Sequence, residues 1–106
     1  MKATQLPGYP EQEEAAVVGA WWWYSTEAAQ RAGIFLIIPS SGRKTFGDGV
    51  IIMVPGPTDT DHPRPARWTI TGDGDTITAH PSILVHPHGD DPGWHGFLTN
   101  GELRSC

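Results

Sequence analysis

The chain has 106 residues, 13 of them glycine and 10 proline, and a net charge of −5 from 12 acidic against 7 basic side chains. That length holds one modest core, and so much glycine and proline excludes long uninterrupted helices. The scattered lysines and arginines form no basic stripe to neutralise phosphates, so nucleic-acid binding is not expected, nor is a basic amphipathic helix for a membrane surface.

The lone cysteine, Cys106, excludes an internal disulfide framework and suits a reducing compartment. The opening residues carry prolines and acids where an export signal needs an apolar run. The most apolar runs, 19–24 and 34–38, fall far short of the ~20 residues that span a bilayer. The expected setting is a host cytoplasm or a virion.

In chain order, residues 1–14 read as a polar arm or loop, with room for one helical turn, ahead of a single β-rich domain over 15–106. Residues 15–24 (AAVVGAWWWY) read as a strand, since consecutive aromatics favour extended backbone. Alternation puts Trp21 and Trp23 on one face, Trp22 and Tyr24 on the other. Aromatics on both faces suit a central strand or one whose second face meets a partner. Trp22 and Tyr24, with Trp94, are the expected partner-facing aromatics, and buried core is the competing reading. Residues 25–33 read as a helix of about two turns, with Ser25 as cap, Glu27 in the first turn and Gly33 at the C-terminal end.

The apolar runs 34–38 and 50–54 read as buried strands, with a turn at Gly47-Asp48-Gly49 before the second. Residues 55–65 carry four prolines and form a loop. Its Asp59, Asp61 and His62 have metal-ligand chemistry but read as solvated loop residues. Residues 67–79 form a hairpin, with Trp68, Ile70, Ile77 and Ala79 facing in, the threonines out, and Gly72-Asp73-Gly74-Asp75 at the turn. Ile83–Val85 continues as a strand. Asn100-Gly101 is a two-residue turn signal for a last hairpin over 96–105.

Four of the five histidines fall in residues 80–95. His86 and His88 share a side of an extended backbone, and Gly89 and Pro92-Gly93 let the chain return with Asp90, Asp91 and His95. Imidazole and carboxylate suit zinc, and three protein ligands leave a position for water. The candidate ligands are His86, His88, His95 and Asp91, with Cys106 if the terminus folds back. The other reading is solvated histidines in a polar turn, because the spacing matches no strong zinc signature. No GxSxG elbow, phosphate-binding loop or dinucleotide fingerprint is present, and no catalytic residue is assigned.

Trp68, Thr76, Pro81-Ser82-Ile83, Trp94-His95-Gly96-Phe97-Leu98 and Asn100-Gly101-Glu102 resemble a family of small uncharacterised phage and prophage proteins. Many of its members carry the name ammonia monooxygenase, which implies nothing about activity here. The resemblance spans the last forty residues or so. It implies a zinc site built from a Cys-x-x-Cys-like pair and a Cys-His in the final hairpin. This chain departs there: Pro39-Ser40-Ser41-Gly42 stands at the first pair, and Trp94 precedes His95.

The expectation is a mostly β fold, a compact antiparallel sandwich or roll of about six short strands with one short helix. The expected function is a phage-type accessory or interaction module, not an enzyme, with a possible histidine-based zinc site and a protein partner or a second copy of itself. A virion component and a metal-dependent hydrolase, with Asp90 or Asp91 as base, are the alternatives.

Overall fold

Apolar runs that alternate poorly call for cover on both faces; the three in the first half of the chain pair side by side in one sheet, and a second sheet packs on its inner face. The computed structural model describes residues 1–11, 17–27, 29–39, 49–59, 67–87 and 93–105. Its strands are β1 (Thr4–Gln5), β2 (Ala20–Tyr24), β3 (Gly33–Pro39), β4 (Gly49–Pro55), β5 (Thr69–Thr71), β6 (Thr78–Val85), β7 (Trp94–Thr99) and β8 (Glu102–Ser105). They form two four-stranded sheets, β1-β2-β3-β4 and β5-β6-β7-β8. All neighbours are antiparallel except β1 and β2. The mostly β sandwich is as expected, with eight strands because the two- and three-residue β1 and β5 join the sheets.

The register Trp21↔Leu36↔Ile52 and Trp23↔Ile34↔Val54 lines up one inner face on the first sheet. It packs against Ile77, Ala79, Ile83, Leu98 and Leu103 of the second half to form the main core. The opposite face of the first sheet is apolar as well: Trp22, Ala20 and Ile37 are buried with Leu6, Phe35 and Ile51 around them. Tyr9 meets Trp22 edge-on at 5.6 Å between ring centroids. The second sheet alternates more cleanly, as β7 shows with Gly96 and Leu98 buried and His95, Phe97 and Thr99 exposed.

Residues 1–6 link the two sheets. Leu103 donates its N–H to Met1, Ala3 donates to Gly101, and Thr4 and Leu6 donate to Gly19 and Trp21 across 2.7–3.0 Å. Ala3 is buried. The expected strand 15–24 begins only at Ala20, because Gly19 has φ +93° and Ala20 donates back to Val17, a turn that breaks the ladder.

The helix expected over 25–33 is a turn in its described residues. Tyr24 pairs with Gly33, so the connection must close an antiparallel hairpin, and tertiary pairing overrides a weak two-turn propensity. Thr26 folds onto Ala29, Ala32 donates to Tyr24, and Arg31 takes φ +51°. Residues 12–16, 28, 40–48, 60–66, 88–92 and 106 lie outside the described residues, and with them the end of the run at Ser40–Gly42, most of the Gly47–Gly49 turn, and Asp61 and His62. Among the described residues, no helix is long and apolar enough to cross a membrane.

The two predicted turns behave as their chemistry demands. Asn100 and Gly101 both take positive φ, 49° and 71°, the conformation of a type I′ hairpin. In the other, Asp73 caps a short 3-10 turn over Gly74–Thr76. Its carboxylate also accepts from the Trp23 indole at 3.1 Å and pairs with Arg31 at 3.0 Å, tying this turn to the first sheet. Arg31 lies over the Trp23 ring, 4.9 Å from its centroid. The Trp23 hydrogen bond, opposed by partial desolvation and aided by the Gly74 N–H and Arg31, holds the Asp73 carboxyl below its usual value of 3.8.

Leu36 sits fully buried between the sheets, so Leu36→Ala is expected to cost about 2–5 kcal/mol in urea unfolding. Asp73 has a depressed folded-state pKa and therefore stabilises the fold above its unfolded value, losing that contribution as pH falls through the folded one. Asp73→Asn should lower Tm at neutral pH, and the gap to the parent should close as the pH is taken down from 3.8. A gap indifferent to pH would contradict this account.

Candidate active site

The pairing of β6 with β7 builds the site. Val85↔Trp94, Leu84↔His95 and Ile83↔Gly96 run in register, and the next pair is Ala79↔Leu98. Three residues of β6, His80, Pro81 and Ser82, thus stand against Phe97 alone. The expected strand 83–85 and the arm of the preceding hairpin are one strand joined through this bulge, which tolerates a proline because Pro81 pairs with neither β5 nor β7. The His80–Pro81 peptide bond is cis. Bulges redirect side chains, and here Ser82 comes to share the outer face with Leu84, His95 and Phe97.

Ser82 Oγ lies 3.0 Å from His95 Nε2. With the imidazole proton on Nδ1, the hydroxyl donates to Nε2. Ser82 is half-buried and His95 exposed, so the pair is open to a substrate. The backbone around it is held on both sides. The Trp68 indole donates to the Ser82 carbonyl at 3.3 Å. Trp94 donates its indole N–H to Ser105 Oγ at 2.8 Å and lies over Gly96, where a Cβ would come within 2.3 Å of the Trp94 ring and of the Arg104 carbonyl. Gly93, at φ +75°, turns the chain into β7.

A serine hydroxyl within hydrogen-bond reach of an imidazole is the arrangement of an activated nucleophile and its base. Among the described residues the pair has no acidic third member; Asp90 and Asp91 lie outside them.

Of the expected metal ligands, His86 and His95 lie among the described residues. His86 follows the end of β6 and is exposed, while His88, Asp91 and Cys106 lie outside the described residues. His95 has its Nε2 on Ser82. Among the described residues no three of His, Cys, Asp and Glu are grouped to hold an ion. Of the aromatics expected to face a partner, Trp22 is 3% exposed and stacks on Phe35 at 5.6 Å. Tyr24 is half-buried and donates to Asp59, and Trp94 is half-buried. Asp59, expected in solvent, is instead fully buried.

Ser82 is the residue that sequence reasoning left without a role. The signal was the Pro-Ser-Ile step two residues before Leu84: once 83–85 pairs with 94–96, same-face parity brings Ser82 towards His95.

The model of the bacterial ubiquitination-like system serine protease family, BubE, matches residues 47–106. No curated protein and no solved structure matches the chain. The matched segment contains β4 to β8, and so both Ser82 and His95. It overturns the expectation of a non-enzymatic phage-type module. That expectation gave Ser82 no part, whereas among the described residues His95 is joined to this serine. With more than half its length matched, the chain belongs to the BubE family, described as the serine protease of a bacterial ubiquitination-like system.

Proposed function

We propose that this chain is a serine protease acting on protein substrates of a bacterial ubiquitination-like system, with Ser82 as nucleophile and His95 as general base. The 3.0 Å approach of Ser82 Oγ to His95 Nε2 carries the proposal; membership of the family supports it. The single cysteine suits a cytoplasmic setting.

Ser82 Oγ attacks the scissile carbonyl carbon while His95 Nε2 takes the hydroxyl proton. Collapse of the tetrahedral intermediate breaks the C–N bond, and His95 returns the proton to the departing amine. Water then enters, gives a proton to His95 and attacks the Ser82 ester. The hydroxyl regains its proton as the carboxylic product leaves. The imidazole thus acts twice and ends unchanged.

A fluorophosphonate probe is expected to add to Ser82, located by mass spectrometry of the digested protein. Ser82→Ala and His95→Gln should each lower proteolysis by on the order of 10³-fold or more. Full activity in Ser82→Ala, with no label on Ser82, would refute the assignment. Trp68→Phe keeps an aromatic ring against the core but removes the donor to the Ser82 carbonyl. It should slow labelling by about threefold to tenfold, the worth of one hydrogen bond, and lower Tm by a few degrees.

A further inference from the structure

Large apolar side chains exposed singly on a surface need no explanation, but two here sit beside the nucleophile. Leu84 is 51% exposed and Phe97 46%. Leu84 stands directly across from His95 and two residues on from Ser82. Phe97 is two residues on from His95, with the two ring centroids 6.1 Å apart. Alternation puts all four side chains on one face, and same-face neighbours in a sheet lie about 5–8 Å apart. The other large exposed hydrophobics, Met1, Tyr9 and Val17, belong to the first part of the chain.

We infer that Leu84 and Phe97 are specificity-determining residues that receive an apolar side chain on the substrate residue bearing the scissile carbonyl. This rests on the assignment of Ser82 and His95 as the reacting pair. A carbonyl carbon must come within about 3–3.5 Å of Ser82 Oγ to react, and among the described residues the adjoining side chain then lies on the outer face of β6 and β7. There it meets a leucine and a phenylalanine. An apolar side chain seated on them removes water from both flanks of His95 and buries surface that is otherwise exposed. Beyond Phe97 the face continues as a shallow groove lined by Thr99, Asn100, Glu102 and Arg104. Arg104 stands across from Phe97 and Glu102 across from Thr99, so an extended peptide leaving the apolar pair passes over hydrogen-bonding groups of both charges.

The test uses the full chain with fluorogenic peptides that differ only at the residue bearing the scissile carbonyl, and reads the ratio of kcat/KM for leucine over glycine. A ratio of about tenfold or more is expected, the discrimination that a few methylenes supply. Leu84→Ser and Phe97→Ser, made separately so that one suffices if the other fails to fold, should each bring the ratio towards unity. Phe97→Leu, which restores an apolar surface, should keep it. A parent enzyme indifferent to this residue or preferring glycine, or serine variants that keep the parent ratio, would overturn the inference while fluorophosphonate labelling of Ser82 leaves the protease assignment standing. Absence of that label would overturn both.

Discussion

The site depends on a single constraint, the register that sets Leu84 of β6 against His95 of β7. Strand registry has a period of two, so a slip of one residue would send His95 into the core and Leu98 into solvent. The core forbids that slip, because Ile83 and Leu98 are almost wholly buried and Gly96 has no room for a side chain. Hydrophobic burial therefore fixes the imidazole's direction without any contact to the imidazole itself. Alternation along β6 puts Ser82 on the same face as Leu84, and its hydroxyl lies 3.0 Å from Nε2.

The two sheets divide the labour. The first is apolar on both faces, with Leu36 and Trp21 towards the main core and Trp22 and Ile37 on the far side. It gives the second sheet something to pack on. The second sheet needs only one buried face, so its other face is free to carry serine, histidine, leucine and phenylalanine in the open. Residues 1–6 and the Asp73–Trp23–Arg31 contacts hold the layers together at their margins. Reacting groups on strands are better fixed than on loops, and here both come from strands of one pair.

The histidines show why residue type alone is a poor guide to chemistry. Imidazole binds a metal or activates a hydroxyl with the same nitrogen lone pair, and which one happens depends on the neighbour. Four histidines close in sequence suggest a cluster; among the described ones His95 faces Ser82, while His86 lies past the last pair of the ladder.

Period and turn chemistry are local properties, and they were readable: the opposing faces of Trp21 and Trp22, the buried run of β3, the apolar strand β4, the inward Trp68, Ile77 and Ala79, and the Asn100-Gly101 turn follow from side-chain alternation and backbone preference. Neighbouring residues decide these, and the sequence lists neighbours directly. Non-local pairing decided the rest. The Ser25–Gly33 segment has helical composition but closes the hairpin between Tyr24 and Gly33, and Asp59 leaves its proline-rich loop to be buried against Tyr24. Ser82 acquires His95 only after β6 and β7 have paired. That serine and its histidine are 13 positions apart in the sequence, and no local rule reports a contact that exists only when burial on the opposite face has chosen the register.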